Sequence, residues 1–290
     1  MSRIWVAITA NKPMERLSTL LRVVSEYEKF PHHVDLSVYI DYESQDDLEF
    51  VQKSLNIFKK VRAVAKVAPP EYGGWYLTWA HKNAMAAEVL NRKYDYYIYQ
   101  ENDMVLTLSN FEYWATWSPR LKSLNMEPGF IRYEEFEGLR VPFDNHIRHR
   151  LRGKTPNVWG DVGFNVHMQL VLDHDIKVFV QPANPYYGAM ILDQSDAIRY
   201  VRSQSYKAEE SYELVGIRNW PLADRSSMGL AFEYPPTGLE HRRFVPLVQR
   251  GDQYIPKECC LIKHDDYKYA PELKRKGQTL LDYSEMFVLD

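Results

Sequence analysis

Residues 4–100 alternate four short apolar runs with three segments of helical period, and this feature leaves the chain the fewest ways to fold. Residues 4–9 read as a first strand. Asn11-Lys12-Pro13 follows as a cap residue and an early-turn proline, and Met14, Leu17, Leu20, Leu21 and Val24 recur on one helix face. Residues 34–41 are a second strand. Ser44-Gln45-Asp46-Asp47 then resembles a capping box, with Leu48, Val51, Leu55 and Phe58 continuing a second helix. Residues 61–67 form a third strand, and the turn-forming Pro69-Pro70-Glu71-Tyr72-Gly73-Gly74 leads to a third helix over residues 77–90. A fourth, aromatic strand at 94–100 stops abruptly at Glu101-Asn102-Asp103. Repeated strand–helix units build a largely parallel sheet covered by helices, an α/β layer of the nucleotide-binding kind.

Beyond about residue 105 the periodicity loosens. Phe111, Trp114, Trp117, Leu121 and Leu124 mark one more amphipathic helix, capped by Ser109 or Asn110, and the rest reads as short strands, prolines and irregular loops. The expectation is one domain over residues 1–290, with a nucleotide-binding half at 1–105 and a second half at 106–290. With 290 residues and 45% hydrophobic composition the chain can bury a large core. A formal charge of -3 without blocks of like charge excludes a general attraction to nucleic acid or anionic lipid. The opening apolar run is too short for a signal segment or a membrane span, so a cytoplasmic protein without an anchor of its own is expected. Cys259 and Cys260 are neighbours and read as packed thiols, not as a disulfide. The 21 tyrosines and 7 tryptophans exceed what a core alone requires, and such flat faces suit sugars as well as protein interfaces.

The exit of the fourth strand carries the most chemistry. Ligands in open α/β sheets sit beyond the carboxyl ends of strands, so Glu101-Asn102-Asp103 places two carboxylates at the mouth of such a site. Mg²⁺ and Mn²⁺ are held by one or two carboxylates together with substrate phosphates, and they offset charge on a leaving diphosphate. The alternative is a solvated acidic turn.

A first strand ending in Thr9-Ala10-Asn11-Lys12-Pro13 with Arg16 nearby, a second ending in Asp41 and an acid-x-Asp after the fourth resemble the GT-A glycosyltransferases. The resemblance is to the superfamily pattern, covers residues 1 to about 135 best and identifies no subfamily. It implies a Rossmann-like nucleotide-sugar-binding half with a mixed, mainly parallel sheet, fused to an acceptor-binding and catalytic half. It also implies that Thr9, Ala10, Asn11, Arg16 and Asp41 contact base and ribose, and that Glu101, Asn102 and Asp103 serve ribose and metal. Glu101 stands where many relatives have Asp, which makes Asp103 the safer metal ligand.

Other residues extend this picture. Trp79 and Lys82 lie three apart on the third helix, where a lysine could neutralise the diphosphate as a point cation or simply be a surface lysine beside a core tryptophan. The apolar run through Cys259, Cys260, Leu261 and Ile262 delivers His264, and this resembles the late histidine that GT-A enzymes bring to metal or diphosphate. Arg132 and Glu134 share a strand face that either borders the donor sugar or is an exposed edge. An irregular segment around Trp220, Asp224 and Arg225 offers a general base for inversion, Asp224 first and Glu233 second; the bland reading of Asp224 is a pair with Arg225.

The sequence therefore reads as a glycosyltransferase moving a hexosyl or pentosyl group from a nucleotide-diphosphate donor, UDP-linked before GDP-linked, to a glycan hydroxyl. Mn²⁺ or Mg²⁺ assists, and inversion is preferred. The alternatives are a sugar-phosphate nucleotidyltransferase, which should carry a glycine-rich loop absent from residues 9–16, and a non-catalytic glycan-binding protein on the same fold.

Overall fold

In the computed structural model of the chain, residues 1–41, 44–144, 149–151, 164–172, 175–251 and 253–289 are described. They divide into two units, Met1–Leu108 with Gly188–Glu233, and Ser109–Tyr187 with Tyr234–Asp290. The loss of periodicity near residue 105 lies close to the first break. It had, however, placed everything beyond in one half, whereas residues 188–233 return to the first unit.

The first unit holds the expected layer. Strands β1 (Arg3–Ala10), β2 (His33–Ile40), β3 (Val61–Val67) and β4 (Tyr96–Glu101) alternate with helices α1 (Leu17–Tyr27), α2 (Gln45–Leu55) and α3 (Lys82–Leu90). Across the sheet the order is Ala189–Asp193, β4, β1, β2, β3; the four numbered strands are mutually parallel and Ala189–Asp193 runs antiparallel to β4. In β1 and β2 every residue after the first is buried, as expected of strands covered on both faces, while β3 alternates because it forms the edge. The result is α/β with a mixed, mainly parallel sheet.

Local signals were met unevenly. Ser44 caps α2 as expected, its hydroxyl accepting the Asp47 N–H at 3.2 Å, with Asp46 and Asp47 favourably placed in the first turn. Helix α1 starts only at Leu17, because Lys12 turns left-handed (φ 49) and residues 11–16 form bends and turns; Asn11 is no helix cap. The third helix is likewise shortened: Gly74–Trp79 winds as a 3₁₀ turn after Gly74 at φ 59, and α3 follows from Lys82. The returning segment contributes the antiparallel strand, a helix at Gln194–Val201 capped by Asp193, and a helix at Leu222–Met228.

The second unit begins with α4 (Leu108–Lys122), which buries Phe111, Trp114, Trp117 and Leu121 as the spacing predicted, whereas Leu124 lies beyond its end and is exposed. The cap is not Ser109 or Asn110, since both lie inside the helix. Asn110 instead donates its amide to the carbonyls of Cys259 and Leu261, both at 2.9 Å. One sheet runs in the order Phe164–Leu172, Asp175–Pro182, Arg243–Arg250, Gln253–Pro256, Phe287–Leu289, His149–Leu151. Separately, Leu261–His264 pairs parallel with Ile131–Phe136, which pairs antiparallel with Leu139–Val141. Cys259 and Cys260 are free thiols, the latter buried. Among the described residues no helix is long and apolar enough to cross a membrane.

Candidate functional site

Within the first sheet the chain runs from β1 to β2 and β3 on one side, then returns to place β4 on the other side of β1. Where strand order reverses in this way, the loops leaving the two strands part and open a crevice beyond their carboxyl ends. Thr9 stands opposite Glu101 in the β1–β4 register, and the Asn102 N–H donates to the Thr9 carbonyl at 3.1 Å. On the other flank the Asp41 N–H reaches the Ala10 carbonyl at 3.3 Å. Thr9, Ala10, Asn11, Asp41, Glu101, Asn102 and Asp103 thus share one sheet edge, although they come from three separate stretches of sequence.

The carboxylates on this edge are not a loose acidic turn. Asp103 is 6% exposed, and Arg16, brought in by the turn before α1, donates Nη1 to its Oδ2 at 3.3 Å. Asn102 is 4% exposed, and its Nδ2 is a buried donor without a hydrogen-bond acceptor among the described residues. Such a donor is costly unless something accepts from it, and a ligand oxygen is one way to satisfy it. Thr9 Oγ1 lies 3.1 Å from the Tyr99 hydroxyl, and burial followed by the Glu101 charge pushes the Tyr99 phenol well up. Sequence reading missed Gly188, which precedes the antiparallel strand at φ 61 and whose carbonyl accepts the Glu101 N–H at 2.9 Å. A Cβ there would fall 2.6 Å from Met104 Cγ.

Trp79 and Lys82 are placed differently from the expectation. Lys82 is 4% exposed; its ammonium donates to the Tyr200 hydroxyl and to the Ser226 carbonyl, the latter at 2.8 Å, and faces the rings of Trp79, Tyr200 and Tyr206. Trp79 is buried and donates Nε1 to the Leu222 carbonyl at 2.9 Å. Both tie α3 to the returning segment, so Lys82 is neither a surface lysine nor a cation directed at a phosphate. Burial pulls its pKa well below the ordinary lysine value, while the acceptors and aromatic faces favour the charge. Beside it His81 is stacked on Tyr99 with centroids 4.1 Å apart, and burial holds it well below the usual histidine range.

The two candidate bases part company. Asp224 is half-buried in the first turn of the Leu222–Met228 helix, which packs on the Gly74–Trp79 turn. Arg225 does not pair with it in the way the bland reading required, since Arg225 Nη1 bonds the Ala208 carbonyl at 2.9 Å and the Ser211 hydroxyl at 2.8 Å. Glu233 is 7% exposed and accepts the Ser205 backbone N–H at 3.0 Å, which anchors the returning segment. Both residues belong to the first unit.

In the second unit His264 is buried, with its Nδ1 2.8 Å from Glu134 Oε1. Glu134 also accepts the backbone N–H groups of Lys268, Tyr269 and Ala270. Burial opposes its charge, yet the His264 bond and these N–H groups prevail and hold its carboxyl below the ordinary range. The strand face carrying Arg132 and Glu134 is therefore interior, not an exposed edge; Arg132 forms a bidentate pair with Asp144 at 2.7 and 2.8 Å. Asp266, which sequence reading did not single out, offers a ligand atom within 4.8 Å of one on His264.

These donor sets fit a divalent cation. In the first unit Asp103 supplies a hard carboxylate oxygen at a strand exit; in the second, His264 and Asp266 supply an imidazole nitrogen and an oxygen, and donors of both types suit Mn²⁺ as well as Mg²⁺.

No family model and no curated protein sequence matches the chain. Solved structures to which it is similar include S. aureus TarS (10% identity over 79% of this chain, TM-score 0.40) and mouse xyloside xylosyltransferase 1 (11% over 79%, TM-score 0.39). The bifunctional glycosyltransferase WbbM is matched at 13% over 82%, TM-score 0.38. The chain spans 33% of TarS, 81% of the xylosyltransferase and 39% of WbbM. It is also similar to the 4-diphosphocytidyl-2C-methyl-D-erythritol synthase of Anaerococcus prevotii, at 10% identity over 76% of this chain and 84% of that one, TM-score 0.34. At TM-scores of 0.40 and below these likenesses carry nothing about activity, which has to come from the residues themselves.

Proposed function

We propose that the chain is a metal-dependent glycosyltransferase that moves a sugar from a nucleotide-diphosphate donor, UDP-linked, to a hydroxyl of a glycan acceptor. The observation that carries this reading is the meeting of strand ends at the reversal of strand order, where Glu101 at the end of β4 lies across from Thr9 of β1, Asn102 and Asp103 follow directly, and Asp41 is next in line. A nucleoside with a charged tail fits such an edge. Asp41, Thr9, Ala10 and Asn11 take base and ribose, and the unpaired Asn102 amide donates to a donor oxygen. Arg16, already directed at the edge, adds positive charge near the diphosphate.

Asp103, with Glu101, is the cation ligand we propose in the first unit, and His264 is a separate metal-ligand candidate in the second. When bound, the cation neutralises charge that builds on the diphosphate as it leaves. Asp224 is the remaining candidate to take the acceptor proton during inversion.

The test is a panel of nucleotide sugars offered to the full chain with Mn²⁺ or Mg²⁺, reading donor hydrolysis. Hydrolysis of one donor, lost in excess EDTA and in Asp103→Ala without unfolding, is the expected result. Unchanged activity in EDTA overturns the metal assignment. Release of pyrophosphate from a nucleoside triphosphate and a sugar phosphate would replace the reading with nucleotidyl transfer.

A further inference from the structure

His264 is held more firmly than a packed core histidine requires. Its ring packs beside the stacked pair of Phe143 and Tyr269, with centroids 5.4 and 5.2 Å away, and its Nδ1 meets a carboxylate that is 0% exposed. That carboxylate is surrounded by donors. Glu134 Oε1 accepts from Lys268 N at 3.1 Å and Tyr269 N at 3.2 Å, and Oε2 accepts from Ala270 N at 2.7 Å. Three backbone N–H groups cannot be turned away, so Glu134 is fixed as an acceptor and the proton between the two side chains must sit on His264 Nδ1. In the neutral imidazole the lone pair then lies on Nε2, on the side of the ring away from Glu134. A carboxylate behind one nitrogen is the arrangement that orients metal-binding histidines and raises their basicity.

Two residues later the chain supplies an oxygen. A ligand atom of Asp266 lies within 4.8 Å of one on His264. Adjacent ligands of an octahedral cation with bonds of about 2.1 Å are roughly 3 Å apart, so the two ligand atoms need approach by no more than about 2 Å to share one ion. Asp266 is paired with Lys268 at 2.7 Å, a partly exposed cation that an incoming ion would displace.

We propose that Asp266 is a metal ligand beside His264, and that Glu134 is the positioning residue that presents His264 Nε2 to a divalent cation. This rests on the reading of the chain as metal-dependent and adds two residues to it. Glu134 has a second consequence: the carboxylate that orients His264 also holds the start of the Tyr269–Arg275 helix, so the ligand and that helix are set by one group.

Mn²⁺ alone is titrated into the full chain, with free Mn²⁺ read by electron paramagnetic resonance. Asp266→Asn and Glu134→Gln should each weaken Mn²⁺ binding about 10- to 100-fold, the usual effect of losing a ligand or its orienting partner. Because Glu134→Gln could disturb folding, the tautomer of His264 is read independently by ¹⁵N nuclear magnetic resonance on the unaltered protein, where Nδ1–H is expected. Affinity unchanged in Asp266→Asn, or an Nε2–H tautomer, overturns the proposal. If Asp103→Ala abolishes Mn²⁺ binding while Asp266→Asn does not, this inference fails and the metal-dependent reading stands. If the unaltered protein binds no Mn²⁺ at all, both fail.

Discussion

Replacing Gly188 by alanine tests how tightly the site edge is built. Gly188 has φ 61, where a side chain costs about 1 to 2 kcal/mol. The added Cβ would also sit 2.6 Å from Met104 Cγ and 3.0 Å from its Sδ. Met104 is fully buried, and forcing extra volume into a packed site costs about 1 to 3 kcal/mol. Alanine's smaller freedom in the unfolded chain returns about 0.4 to 1 kcal/mol. The expected net loss is about 2 to 4 kcal/mol, read in urea as a midpoint lowered by roughly 0.7 to 1.3 M at an unchanged slope of about 3 kcal/mol/M. Circular dichroism and tryptophan fluorescence should report the same transition. A double-mutant cycle with Met104→Ala separates the causes: relief of the contact should make Gly188→Ala less costly by about 1 to 3 kcal/mol in that background. Strict additivity would refute the contact, and a loss below about 0.5 kcal/mol for Gly188→Ala alone would refute the whole account.

Lys82→Met should leave nucleotide-diphosphate affinity within about twofold by calorimetry, because the ammonium is committed to Tyr200 and Ser226; a tenfold loss would return Lys82 to the site. Asp41→Ala should weaken the same binding by about 1 to 3 kcal/mol, and unchanged affinity would place Asp41 outside the nucleoside pocket. Asp224→Asn should reduce transfer about 10² to 10⁴-fold with donor affinity kept; loss of both would mean a structural role. Acid should destabilise the fold through His241, which is pushed down to about 4 by burial and binds the Pro182 carbonyl and the Arg243 N–H. The unfolded chain takes up the proton first, below about pH 6.5, so stability is full above that value and falls toward pH 4. His241→Gln should remove about 2 to 3 kcal/mol of the difference between pH 7 and 4.5, and an unaltered pH dependence would count against it.

What could be read from sequence follows from how local each signal is. Strand β3 was located to the residue, and Ser44 was recognised as a cap, because apolar runs and cap chemistry act over a few positions. Asn11 failed as a cap because Lys12 adopts a left-handed backbone that no composition rule announces. The surroundings of Lys82 and Glu233 were illegible for a different reason. Their partners, Tyr200 and Ser226 for one and Ser205 for the other, sit in a segment that rejoins the first unit from far along the chain, and periodicity cannot reveal which sheet a segment joins. His264 was singled out through a resemblance and Glu134 only as part of a strand face, whereas the bond between them is visible only once Leu261–His264 is paired with Ile131–Phe136.

The outer position of Ala189–Asp193 beside β4 also bears on synthesis. When β4 leaves the ribosome its outer edge has no neighbour, and about 90 further residues must be made before the strand that covers it exists. At 5 to 20 residues per second that interval is roughly 5 to 18 s. For that time the nascent chain presents Tyr96, Tyr97, Ile98 and Tyr99 as an open, aromatic strand edge, which is a hazard for intermolecular pairing. Expression yield should therefore depend on chaperone supply and on the rate of translation through residues 102–188 more than on the stability of the finished fold.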